Sequence, residues 1–194
     1  MIPTKRGQAL AAAIGLIPAL LLVARFLGDD LGANPIEEIT HKTGLWALRL
    51  LLLSLAVTPL RNMTHWNGII PFRRTFGLLA FVYATLHFST WLVLDHFFDW
   101  SEIVEDISER PYVTAGFTAF VCLLPLAATS TRGWIRRLGK RWTKLHRLVY
   151  LAATAAVIHY WWLVKSDVTE PRYYAVALAV LLAPRLVLLR QRAG

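Results

Sequence analysis

The stretch Trp142–Val164, WTKLHRLVYLAATAAVIHYWWLV, decides the class of fold. It is apolar over a length that crosses a bilayer, which takes roughly 20 residues. Tryptophans stand at its ends (Trp142, Trp161 and Trp162), and two histidines, His146 and His159, lie within it. An ionisable side chain in a membrane span is costly and is read first as functional. A third histidine, His87, sits in a second apolar run, FGLLAFVYATLHFSTWLVL.

The rest of the chain agrees with a membrane setting. Hydrophobic residues make up 56% of 194 positions, more than a soluble core of this size would carry. The net charge of +9 comes from short loops between apolar runs, where membrane topology and lipid headgroups account for it without nucleic acid. The single cysteine, Cys122, falls mid-span, which excludes an internal disulfide or a multi-cysteine iron–sulfur site and reads as packing.

Six spans are expected, at about residues 8–27, 43–60, 75–94, 112–128, 145–164 and 173–189, in one domain covering 1–194. The first has no small-residue cleavage site after it and reads as a retained helix. Between spans three and four, DHFFDWSEIVEDISERP is acidic and suits a short interfacial helix with Phe97, Phe98 and Trp100 on its membrane side. Basic residues alternate with these acidic loops. Lys5 and Arg6 come first, then Arg61, Arg73 and Arg74. The cluster Arg132, Arg136, Arg137, Lys140, Arg141 and Lys144 follows, and Arg190 and Arg192 come last. The positive-inside rule therefore gives an all-α integral membrane bundle of six transmembrane helices with both termini cytoplasmic.

Spans three and five then run in the same direction. His87 lies about 12 residues into its span and His159 about 14 into its own, ~18 and ~21 Å from the cytoplasmic edge at 1.5 Å per residue. Two parallel helices that offer imidazoles at one depth can clamp an iron from both sides, which makes a haem that carries electrons and has no open position for a gas. The competing account makes each histidine a polar bridge between helices. His146 is at the inner end of span five, about 140° from His159 around a regular helix. It is expected to complete an irregular haem site, to contact a flavin or quinone, or to bond a loop as an interfacial histidine. His41, His65 and His96 read as solvated side chains at loops and span ends.

Arg49 lies one to two turns inside span two on the outer side. It either pairs with a haem propionate, which suits a guanidinium, or snorkels to the interface; Arg25 is expected to snorkel. Arg73 and Arg74 form part of an inner basic rim that would suit an FMN phosphate or a quinol headgroup. No G-x-G-x-x-G, Walker loop or soluble domain accompanies the spans, so a haem relay here would need a membrane quinol or flavoprotein as donor and a separate acceptor.

The segments TGLWALRLLLLSLAVTPLR, RRTFGLLAFVYATLHFSTW, RPYVTAGF, TSTRGWIRRLGKRWTKLHRLVYLAA and IHYWWLVKSD resemble the MsrQ family, the haem-binding membrane subunits of bacterial periplasmic methionine sulfoxide reductase systems, within the ferric-reductase-like transmembrane superfamily. The resemblance runs from about Leu31 through span six. It implies haem b, a bound FMN and an inner-membrane location. It also implies electrons drawn from the quinone pool and delivery to a periplasmic molybdopterin methionine sulfoxide reductase, of which this chain would not be the catalytic subunit. The family's haem-associated histidines fall on His87, His146 and His159. The chain departs from the NADPH-oxidase pattern in lacking a second histidine in span three. Two other functions stand beside this one: a haem relay for another partner such as a ferric reductase, and a non-redox small transporter or assembly factor.

Overall fold

The computed structural model describes residues 4–191, and these are helical with no strand among them. The helices are α1 (Thr4–Leu27), α2 (Pro35–Thr64), α3 (Phe72–Thr90), α4 (Trp100–Glu109), α5 (Pro111–Ala128), α6 (Arg132–Leu138), α7 (Lys140–Leu145), α8 (Leu148–Leu163) and α9 (Thr169–Gln191). Among the described residues, four segments are long and apolar enough to cross a membrane: Lys5–Leu27, Pro35–Thr64, Asn67–Asp95 and Pro111–Ala128. The expected fifth span is a 16-residue helix, α8, and the expected sixth corresponds to α9. Arg192, counted among the inward charges, lies outside the described residues. The chain divides into two compact units between Glu105 and Asp106.

In the first unit α2 packs along α3. Asn34 caps α2 by accepting from the Glu37 amide, and Pro35 occupies its first turn, where a missing N–H costs nothing. Leu48, Leu50, Leu51, Leu52, Leu55 and Val57 of α2 are buried, as are Leu79, Ala80 and Tyr83 of α3. Buried hydroxyls find carbonyls: Thr43 donates to Ile39 at 2.7 Å, and Ser54 reaches across to the Arg73 carbonyl at 2.9 Å.

Helix α1 meets α3 where its glycine allows close approach. A Cβ on Gly15 would stand 2.6 Å from a Leu79 methyl carbon. Beside it the Tyr83 hydroxyl accepts from the Ala19 amide at 3.0 Å and donates to the Gly15 carbonyl at 2.8 Å. Leu20 and Leu27 of α1 are exposed, as lipid contact would require. Arg25 does not extend away alone: its guanidinium pairs with Glu38 at 2.6 Å and bonds the Asp30 carbonyl at 2.7 Å.

Helix α3 passes into a π-turn, Trp91–Asp95, and the chain then turns through Phe97 and Phe98, both at positive φ (47° and 62°). The expected short helix follows as α4, with Phe97, Phe98 and Trp100 all exposed.

In the second unit α5 packs on α8. Ala119 of α5 and Ala152, Ala153 and Ala155 of α8 are buried, the small-residue contact that lets membrane helices approach. Cys122 is a free, buried thiol, as its mid-span position suggests. Tyr160 ties α8 to α9 by donating to Glu170 at 2.6 Å and meeting the Tyr174 ring edge-on. Asp167 accepts from the Thr169 amide at 2.9 Å as α9 begins, and hydrogen bonds from the Thr169 side chain and backbone hold its carboxyl below the ordinary carboxylate range.

The basic cluster after α5 is two short helices rather than an open loop. Thr131 caps α6, and Gly139, at φ +50°, makes the turn into α7. The stretch Trp142–Val164 is therefore not one regular helix. Around His146 the backbone tightens to i→i+3 bonds, Arg147 to Lys144 and Tyr150 to Arg147, before α8 starts at Leu148. The 140° separation of His146 and His159 drawn on a regular helix does not hold, because the two residues are not on the same helix.

Candidate functional site

Each unit presents one histidine in the same way. Thr40 and Gly44 lie one turn apart on α2, and His87 lies three residues before the end of α3. Its Nδ1 is 2.9 Å from the Thr40 carbonyl oxygen. In the second unit Tyr112 and Gly116 lie one turn apart on α5, and His159 lies four residues before the end of α8. Its Nδ1 is 2.6 Å from the Tyr112 carbonyl oxygen. The carbonyl precedes its histidine by 47 residues in both cases.

A carbonyl can only accept, so Nδ1 carries the proton in both rings, an assignment made by hydrogen-bond counting. The neutral imidazole then has its lone pair on Nε2. Histidines that ligate metals are held this way, with the other ring nitrogen donating to a carbonyl or carboxylate. An imidazole held in this way is a donor type that fits a haem iron. No three His, Cys, Asp or Glu side chains gather into a polydentate metal site among the described residues.

His146 is held differently. Its ring stacks on Trp142 at a centroid distance of 3.8 Å, and its Nε2 lies 3.0 Å from the Thr129 hydroxyl. Thr129 gives its own proton to the Pro125 carbonyl at 2.6 Å, so the hydroxyl accepts from Nε2–H. The Trp142 indole closes the cluster by donating to the Thr129 carbonyl at 3.0 Å. His146 is thus held through Nε2, whereas His87 and His159 are held through Nδ1.

The remaining candidates are placed as follows. Arg49, on α2, lies over the Trp46 ring at 5.4 Å, and that ring in turn lies 6.3 Å from Tyr83. Arg73 and Arg74 open α3; the Arg73 carbonyl receives Ser54, and the Arg74 side chain is exposed. His41 is in α2, not in a loop, although exposed, and His65 ends α2 in the left-handed region at φ 54°. His96 is not a solvated side chain. The π-turn folds its ring back against Trp91 at 4.7 Å, 3.4 Å from Glu102, with 11% of the side chain exposed.

Thr40, Tyr112, Gly44 and Gly116 were missed as site residues by sequence reasoning. A carbonyl partner has no side-chain signature. The glycines did leave one: each interrupts an apolar helix 43 residues before a span histidine.

Residues 43–157 match the family of ferric reductase like transmembrane components. The match contains Gly44, His87, Gly116 and His146. A protein of Xanthomonas axonopodis pv. citri is 51% identical over 186 residues, covering 93% of this chain and 85% of the relative. One of Xanthomonas campestris pv. campestris is 55% identical over 158 residues (81% and 72%), and one of Herminiimonas arsenicoxydans 51% over 174 (88% and 80%). All three bear the name protein-methionine-sulfoxide reductase heme-binding subunit MsrQ. The chain belongs to the MsrQ family. No solved structure matches it significantly.

Proposed function

We propose that this chain is the haem-carrying electron-transfer subunit of a bacterial methionine sulfoxide reductase system. In this reading it is a single domain of six spans in the inner membrane, with both termini cytoplasmic. It takes electrons from membrane quinol and delivers them to a periplasmic molybdopterin reductase that repairs oxidised proteins. The observation that carries the proposal is the like presentation of His87 and His159, each with Nδ1 on a backbone carbonyl, in a chain whose relatives are named as haem-binding subunits.

His87 and His159 would hold the haem through Nε2, and haem b bound there would supply a one-electron iron couple. Arg49 is the guanidinium for a propionate, since it already stands inside α2 and an arginine fork binds a carboxylate in two places. Arg73 and Arg74 bind the FMN phosphate or the quinol headgroup from the start of α3. His146, with Nε2 committed to Thr129, serves the inner side and does not share the outer iron.

A dithionite-reduced-minus-oxidised spectrum of the purified protein tests this. Sharp b-type bands are expected, with flavin released on denaturation. A featureless spectrum would favour a transporter or assembly factor. Haem that quinol reduces but the cognate molybdopterin partner does not reoxidise would favour a relay for a different acceptor.

A further inference from the structure

We propose that Gly44 and Gly116 are positioning residues for haem ligation, each clearing the space in which a histidine ring docks Nδ1 on the carbonyl one helical turn earlier. The inference rests on His87 and His159 as the axial ligands. It adds that α2 and α5 carry one device, repeated at identical spacing, with glycine 43 residues and carbonyl 47 residues before the histidine.

The geometry leaves little room for another side chain. A Cβ on Gly44 would stand 3.0 Å from His87 Nδ1 and 3.1 Å from Cε1. On Gly116 it would stand 2.7 Å from His159 Nδ1 and 3.0 Å from Cε1. Both atoms belong to a planar ring whose other end has to meet iron, so the ring cannot swing aside as a flexible chain would. Restoring an ordinary 3.4 Å contact takes a retreat of about 0.4 Å at His87 and about 0.7 Å at His159. Along the bond axis this stretches both Nδ1···O distances to about 3.3 Å, past the usual 2.7–3.2 Å. Glycine within a helix is unfavourable against alanine, so its use at both matching places asks for a reason, and ring clearance supplies one.

The carbonyl bond has two effects on the ligand. It fixes the ring plane and the tautomer, and it makes Nε2 a stronger donor to the oxidised iron. Loss of such partners in metal sites typically costs roughly 10–100-fold in affinity. Gly116→Ala, the tighter site, is expected to weaken haem binding at least ~10-fold and to shift the low-spin EPR signal. It should also move the midpoint to more positive potential, because a weaker imidazole donor favours the reduced iron. Gly44→Ala should change all three in the same direction by less.

Gly77→Ala is the control, a third helical glycine whose added Cβ would meet only Ser54 Oγ, at 3.4 Å. The test compares haem titrations, EPR spectra and redox midpoints of the three alanine variants, with thermal unfolding of the haem-free proteins alongside. The proposal is upheld if Gly44→Ala and Gly116→Ala change the spectrum and midpoint while their haem-free unfolding matches Gly77→Ala. If Gly116→Ala does not fold, Gly44→Ala carries the test by the same readouts. Spectra and midpoints identical to those of Gly77→Ala overturn it, as does a haem loss that only follows lost folding. His87→Ala and His159→Ala in the same series separate the two claims: should these keep a normal haem, the axial assignment itself is wrong, whatever the glycines do.

Discussion

Removing the Tyr83 hydroxyl should loosen α1 from α3 without disturbing the packing beneath it. The Tyr83 ring is 1% exposed and keeps its neighbour Trp46 in a Tyr83→Phe variant, so the change isolates two hydrogen bonds. These are the bond from the Ala19 amide and the bond to the Gly15 carbonyl, the two groups that a regular helical turn would pair with each other. Pro18 has no amide to contribute there, and an inserted hydroxyl beside proline is a recognised way to hold a bent helix. Side-chain hydrogen bonds in membrane proteins are worth about 0.6 kcal/mol on average and about 1.7 at most. Two of them give a loss of about 1–3 kcal/mol, toward the lower end if Ala19 and Gly15 pair directly once the hydroxyl is gone. An SDS unfolding titration in mixed micelles reads the loss, and hydrogen exchange at Ala19 should accelerate. A change under about 0.3 kcal/mol with unaltered exchange would refute the view that this hydroxyl secures α1.

Three further outcomes are expected. Thr129→Val leaves the His146 Nε2–H without its acceptor and should destabilise by about 1–3 kcal/mol, whereas Thr129→Ser should restore most of that in the same unfolding assay. A reporter active only outside the cytoplasm should work when inserted near Asn34 or Ser101 and fail near Asn67 or Gly139, since loop charge sets orientation. Replacing Arg73 and Arg74 together by glutamine should lower bound flavin or slow quinol-driven reduction; unchanged flavin content and kinetics would remove them from that role.

The class of the fold was legible because its cause is compositional: long apolar helices with exposed leucine and valine cannot be mistaken for a soluble core. The short helix α4 was legible too, from an acidic stretch carrying exposed aromatics. The break before α8 was not. Leu145, His146 and Arg147 are acceptable helix formers, and the turn goes with the tight backbone bonds and the Thr129–His146–Trp142 cluster, which reaches back across α6 and α7 to the end of α5. His96 was misjudged because position at a span end suggests water, while the π-turn buries the ring. Of the site, the histidines could be named from cost alone, since imidazole in an apolar helix needs a purpose. Their partners could not, because Thr40 and Tyr112 act through backbone oxygen and Gly44 and Gly116 act by what they lack.

The most direct test of the central claim is the optical and EPR spectrum of His87→Ala, His159→Ala and His146→Ala, purified at equal expression. The account predicts that either of the first two loses haem or turns it high-spin and abolishes electron delivery, because each removes one of two axial donors. His146→Ala should keep a low-spin haem and show only slower reduction. A normal low-spin spectrum in His159→Ala, with loss of that spectrum in His146→Ala, would contradict the pairing of His87 with His159.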